Sequence, residues 1–298
     1  MRSNLLKSCL VTLSILTLVS CNSTNVHFKK HKSKIDLDTY LLEKSNADAE
    51  FKEDILAAKS FQIKSSYAKV VEYEDSYRNT KDTFKYNFKK IDDVTIKYDS
   101  STNAIQILTK STFTTKNCSE DSLEYRANTN SKEKHNGNFI ITMYKEQCVI
   151  ADVDSKLYYT LNTSTTIKEF ALAFFNKAYR DTGDSYDTTL GEGVSIFHNK
   201  NVFTIFKSIN EYTSSSEEST QHSIEEKTQD VFKRNEYKWV GEFKEIKVND
   251  STVENTSFSY NLTETYDVTI KIKPITIRPI NLDKYAKSTK FYFPQFTI

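Results

Sequence analysis

Few residues in this 298-residue chain have the types and spacing that chemistry requires. There is no Gly-x-Ser-x-Gly to form a nucleophile elbow. There is no glycine loop to cradle a phosphate, and no His-Glu-x-x-His. Gly183-Asp184-Ser185 matches only the opening of an esterase motif, and a type I turn accounts for those three residues better. His222-x-x-Glu225-Glu226 would put a histidine and a carboxylate on one helical turn. Without a second histidine nearby it reads as a solvated charge run. His27 and His31 lie in a lysine-rich N-terminal stretch, and His135 and His198 in expected turns. The sequence therefore nominates no catalytic residue, no metal site and no cofactor. The one constellation suited to binding is Tyr237, Trp239 and Phe243, with Lys238 and Lys244 beside them. Aromatics set among cations can stack on a glycan or a single nucleic-acid strand. In a chain that is 13% aromatic, the same cluster also serves as core. A formal net charge of +1 gives no global field to draw in nucleic acid, so no nucleic-acid partner is expected.

The elements that must position these residues are mostly strands. Val94, Ile96 and Tyr98 alternate with polar residues, residues 100 to 103 supply a turn, and Ile105 and Ile107 begin the return. Asn136-Gly137 signals a turn before the apolar run at residues 139 to 144. Residues 148 to 153 and 157 to 161 read as two strands joined at Asp154-Ser155. Residues 194 to 197 and 202 to 206 read as a hairpin around His198-Asn199-Lys200-Asn201. Tyr237, Trp239, Phe243, Phe258, Tyr260, Leu262, Val268, Ile270 and Ile272 continue the strand pattern, and Phe291, Phe293 and Phe296 end it. Two helices stand out. Residues 46 to 58 place Ala47, Phe51, Ile55 and Ala58 on one face. Residues 166 to 179 carry a wide apolar stripe of Ile167, Phe170, Ala171, Phe174, Phe175 and Ala178, with Thr165 or Thr166 to cap it. Residues 67 to 77 and 84 to 91 fit either period. The fold class is α+β, mostly antiparallel sheet with an N-terminal helix and one central amphipathic helix. With 5 Gly and 3 Pro, tight turns must fall to Asn, Asp and Ser. The polar run at residues 213 to 229 reads as a long exposed loop or as a boundary dividing a body that spans residues 36 to 298.

The N-terminus carries its own signal. Arg2 and Lys7 precede a short apolar run, residues 10 to 19, that ends in Leu18-Val19-Ser20-Cys21. The run is too short to span a bilayer, and its flanks suit a removable signal. It resembles the signal peptide of bacterial lipoproteins, with Leu-Val-Ser-Cys matching the lipobox. The resemblance covers the leader alone. It implies cleavage after residue 20, lipidation of Cys21, and a membrane partner held through that lipid. Residues 21 to 35, with Lys29, Lys30, Lys32 and Lys34, would then be a lipidated terminus and tether. Asn22 follows the cysteine where enterobacterial lipoproteins retained at the inner membrane carry aspartate, so the outer membrane is favoured.

With Cys9 in the leader and Cys21 lipidated, Cys118 and Cys148 remain. An even pair in an exported body reads as a disulfide, since neither has a histidine at zinc-ligand spacing. The function expected from all this is a membrane-anchored cell-envelope lipoprotein that binds or scaffolds without catalysis, with an envelope protein as a candidate partner. The alternatives are a periplasmic hydrolase without a recognisable motif, and a carrier of an apolar ligand.

Overall fold

The computed structural model describes residues 33–34, 36–77, 82–119, 130–180, 193–293 and 296–298. The leader, most of the tether, and Gly183 to Ser185 lie outside them. Residues His31–Ile298 form one compact unit.

The unit is built on a thirteen-stranded sheet. In chain order the strands are β1 (Ser33–Lys34), β2 (Ser60–Tyr77), β3 (Asp82–Asp99), β4 (Ala104–Ser119), β5 (Ser131–Tyr144), β6 (Gln147–Asp152), β7 (Leu157–Thr160), β8 (Val194–Asn199), β9 (Val202–Ser214), β10 (Glu218–Lys233), β11 (Glu236–Ser251), β12 (Thr256–Ile272) and β13 (Ala286–Lys287). Across the sheet they run β1-β8-β9-β10-β11-β12-β2-β3-β4-β5-β6-β7-β13. Two antiparallel meanders, β2 to β7 and β8 to β12, thus join along one seam, where β12 pairs antiparallel with β2 from Thr256↔Tyr77 to Ile272↔Phe61. Among the described strands the one parallel pairing is β13 with β7. This is the antiparallel α+β architecture the alternation predicts.

Helix α1 (Leu37–Ala57) precedes the first meander and α2 (Ile167–Ala178) the second. The capping box of α2 is complete. Thr166 Oγ1 accepts from the Glu169 N–H, and the Glu169 carboxylate accepts from the Thr166 N–H, an arrangement that stabilises a helix start by about 0.5–2 kcal/mol. Helix α1 begins nine residues before the predicted start, behind an Asp36 cap whose carboxylate accepts from the Thr39 N–H. Its buried face is Tyr40, Lys44, Asp48, Phe51 and Ile55. Two charged residues in that stripe hide the first turns from a hydrophobicity reading.

Both helices pack on one face of the sheet. Phe51, Ile55, Ile167, Ala171 and Phe175 meet Phe61, Ile63, Ile96, Ile105, Ile107, Ile205, Tyr237, Val268 and Ile270 in the main core. Phe291, Phe293 and Phe296 close it as packing groups rather than as the strand their spacing suggests. Among the described residues the opposite face is covered only at one end, where Ile277 and Leu282 dock on Ala104, Ile140, Val149 and Ala151. Asp99 fastens that segment. Burial works against its charge, but bonds from Ser101, Thr102 and the Ile277 N–H outweigh it and hold the carboxyl below the usual range.

Several expectations change. The run at residues 213 to 229 is not a linker: β10 pairs along its length with β9 and β11. It looked like a loop because both faces of the strand carry polar residues. Asn136-Gly137 lies inside β5, not in a turn. A Cβ at Gly137 would stand 2.3 Å from the Phe139 ring, so glycine there makes room for an aromatic two residues on. Among the described residues positive φ falls to Lys145, Glu146, Lys156 and Lys200 as well as to Asn103, Asn235, Asn255 and Gly193. Ser33 and Lys34, the end of the expected tether, pair with Phe197 and His198 of β8.

The Cys118–Cys148 disulfide does not form. Cys148 is a free, buried thiol whose pKa burial raises. The ladder gives the reason. Cys148 sits opposite Met143, level with the β3–β4 turn, whereas Cys118 pairs with Lys85 near the far end of β4. About fifteen residue steps separate them along the strands, on the order of 50 Å, and a disulfide tolerates a Cα separation of about 7 Å at most.

A candidate binding face

Strand alternation sorts the sheet into two faces, and the helices cover only part of one. Along β2, for example, Phe61, Ile63, Ser65 and Tyr67 are buried on the helix-bearing face, and beyond Tyr67 the same face is half-buried. The register carries this boundary across the sheet, because directly opposed residues share a face. Lys69 stands opposite Lys90 and Glu264, Val71 opposite Phe88 and Leu262, Tyr73 opposite Tyr86 and Tyr260, and Asp75 opposite Phe84 and Phe258. Phe88 stands in turn opposite Thr115 of β4, with Phe113 diagonal to it.

The result is an aromatic raft on four adjacent strands, β12, β2, β3 and β4. Tyr73 makes edge contacts with Phe84 and Phe258 at centroid distances of 5.8 and 5.1 Å. Phe88 meets Phe113 edge-on at 4.9 Å and stacks with Tyr86 at 6.5 Å. The reverse face of the same strands presents Ser257, Ser259, Asn261, Thr263, Glu72, Glu74, Lys85, Asn87 and Lys89. Among the described residues no helix packs on the raft, and its rings are half-buried rather than sealed.

Where raft meets core runs a belt of paired polar groups. The Tyr67 hydroxyl donates to Glu264 at 2.9 Å, and Lys69 pairs with the same carboxylate at 3.1 Å. Burial first, then the bond to Glu264, pushes the Tyr67 phenol well above its ordinary pKa. Lys90 pairs with the buried Asp92 at 2.8 Å and lies 5.9 Å over the Tyr67 ring. Asp92 also accepts the Thr297 N–H, which brings the C-terminal tail to the edge of the raft. The belt continues through Tyr67 on Tyr266, Tyr266 on Trp239, and Arg180 over Trp239 at 5.4 Å.

Behind the belt lies a buried polar cluster. Lys44 of α1 pairs with Asp230 of β10, and Tyr179, just past α2, donates to Asp48. Burial raises the Asp48 carboxyl to about 6, against the Tyr179 bond and the charge of Lys44. The second oxygens of Asp48 and Asp230, Arg180 Nη1 and Trp239 Nε1 are buried without a hydrogen-bond partner among the described residues.

The predicted aromatic site divides along this geometry. Tyr237 is fully buried and packs on Phe51, Tyr179 and Phe232, so it belongs to the core. Trp239 is half-buried in the belt, and Phe243 lies beyond it on the same face, opposite Glu226 and Glu264. Lys238 and Lys244 point to the other face and pair with Asp267 and Glu242. Period two therefore separates the aromatics from the cations thought to flank them. His222 does not act with Glu225, which faces the opposite way; it meets Glu245 across the ladder at 3.0 Å. Among the described residues no group of three or more His, Cys, Asp or Glu side chains could hold a metal ion. The raft itself was not singled out from the sequence. Its signal was present in the alternation of Phe84, Tyr86 and Phe88 and of Phe258, Tyr260 and Leu262, but only the register puts the two runs side by side.

No protein-family model matches the chain, and no curated protein matches its sequence. Among solved structures it is similar to lipovitellin, in a study of lipid–protein interactions, at 6% identity and a TM-score of 0.32. The match covers 74% of this chain but only 26% of lipovitellin. A likeness this distant carries no argument about ligand.

Proposed function

We propose that the protein is a cell-envelope lipoprotein, anchored through lipid on Cys21, whose sheet binds an apolar or amphiphilic ligand on the raft without chemical conversion. The observation that carries the ligand reading is the contrast between the two faces of β12, β2, β3 and β4. One side is aromatic and half-buried, and the other is mainly polar. An aromatic face of this kind gains free energy by covering its rings, about 25 cal/mol for each Å² of apolar surface removed from water. The belt of tyrosines and paired lysines along one edge suits a ligand with a polar end. The anchor rests on the lipobox resemblance, with the outer membrane as the favoured location.

The ligand reading is tested by titrating the protein with a fluorescent fatty acid. Phe88→Ser combined with Tyr73→Ser should weaken binding by roughly tenfold or more, equivalent to about 1.4 kcal/mol or above, with the far-ultraviolet circular dichroism unchanged. Equal binding by the variant would refute the raft. The anchor is tested separately by mass spectrometry of the native N-terminus, where an unacylated chain starting after residue 21 would overturn it.

A further inference from the structure

The uncovered half of the sheet has two open edges, and they differ. On one side, β6 pairs with β5 only from Phe139 onward, and the Val153 N–H donates to the Asn138 carbonyl, which leaves residues 131 to 137 of β5 paired with β4 but without a second neighbour among the described strands. That edge carries exposed Lys132, Glu133, Lys134 and His135. Lysines and other charges on an edge discourage another strand from adding to it. On the other side, β8 pairs with β9 only as far as Lys207, and the Gly193 carbonyl accepts the Ser208 N–H. From residue 209 to 214, β9 has no further partner among the described residues. This stretch holds one charge, Glu211, with no lysine and no proline, and its ladder with β10 runs without a bulge.

A second observation points to the same edge. The reverse face of the sheet is mainly polar, yet Tyr212 is 70% exposed there, with Ile246 at 37% and Val248 at 36%. They are near neighbours. Tyr212 and Val248 both stand opposite Gln221, and Ile246 stands opposite Ser223, two positions along. An exposed apolar patch thus lies within two strands of the unguarded edge.

We propose that β9 pairs antiparallel with β9 of a second copy of this chain, about a two-fold axis at Tyr212. Centred there, Tyr212 meets its own copy, Glu211 faces Thr213, and Asn210 faces Ser214. Centred one residue earlier, the two Glu211 carboxylates would stand opposite each other, which like charges on a ladder oppose. A two-fold contact must be self-complementary, and a segment whose one charge can be set off the axis meets that condition. The pairing joins the two Tyr212–Val248–Ile246 patches into one. Because the axis is normal to the sheet, both rafts lie on the same side. This inference does not depend on what the raft binds.

The test is cysteine cross-linking of the full chain in membranes, in a Cys118→Ser background with Cys21 intact. Tyr212→Cys should give a covalent homodimer under mild oxidation, and His135→Cys on the guarded edge should not. Sedimentation of the detergent-solubilised chain should show a concentration-dependent dimer whose dissociation constant rises roughly tenfold or more in Tyr212→Lys. Three results would overturn the proposal: a monomer at every concentration, cross-linking at position 212 no better than at position 135, or capture of a different protein at position 212.

Discussion

The two halves of this sheet share the same strands and differ in what stands on them. In one half, Ile63, Ile96, Ile107 and Ile270 are sealed beneath two helices and the C-terminal tail. In the other, Tyr73, Phe84, Phe88 and Phe258 lie on the same face, with no helix on them among the described residues. Aromatics serve both halves. In the covered half Phe61, Phe175 and Tyr237 are sealed in among branched aliphatics, whereas on the uncovered half the rings hold together edge to face. Alternation gives strands such as β2 and β12 one apolar face. It is the cover that decides whether an apolar face becomes core or surface.

The sharpest way to break the comparison is to unseat the cover. Asp230→Ala would leave Lys44 buried without its partner, which typically costs about 3–5 kcal/mol and should appear as a large drop in the urea midpoint. Replacing Lys44 and Asp230 together by Met and Leu should recover much of that loss. A single Asp230→Ala chain as stable as wild type would show that the pair does not hold α1 down.

Matched truncations compare the halves directly. Ile96→Ala in the covered half should cost about 2–5 kcal/mol, whereas Phe88→Ala should cost less than half as much and instead weaken ligand binding. Equal losses on denaturation would mean that the raft is as closed as the core.

Asp48 gives the comparison a pH axis. Its folded pKa of about 6 lies above the unfolded value of 3.8, so the folded state holds the proton more tightly. Stability should fall as pH rises from about 4 to about 6 and be flat in this respect above that. Asp48→Asn should remove that slope, and urea titrations at several pH values measure it. A wild-type slope of opposite sign in that window would contradict the burial of this carboxyl.

The smallest expected effect is a gain. The two-residue turn between β5 and β6 puts Lys145 and Glu146 at φ of 49° and 64°, the left-handed region that Asn-Gly occupies with little strain. Lys145→Asn with Glu146→Gly should stabilise the chain by about 1 kcal/mol, read as a rise in melting temperature, without altering ligand binding.

Much of this was legible where a signal is local. The hairpin through Val94 and Ile107 and the Thr166–Glu169 cap are written in adjacent residues. What failed depended on residues far apart. Lys44 and Asp48 look like solvent-facing charges until Asp230 and Tyr179 arrive from other elements. The polarity of β10 reads as a loop because the partners on either side are not visible in it. An even count of cysteines says nothing about register, and register placed Cys118 and Cys148 at opposite ends of the ladder. The raft escaped for the same reason, being shared among four strands.

The seam between β12 and β2 carries a consequence for how the chain reaches this state. Every other pairing between long strands joins neighbours in sequence. Hairpins of that kind close on the microsecond scale. The seam instead joins Phe61 to Ile272 and Tyr77 to Thr256, so its loop-closure entropy must be met before any contact across it contributes. Each meander, preceded by its own helix, can therefore assemble early and wait for the other. Docking of β12 on β2 is then the expected slow step, of the kind that high contact order imposes. Until it occurs, two long strand edges rich in Tyr, Val and Thr stand open in the same chain, and a newly made molecule is most exposed to mispairing with its neighbours during that interval.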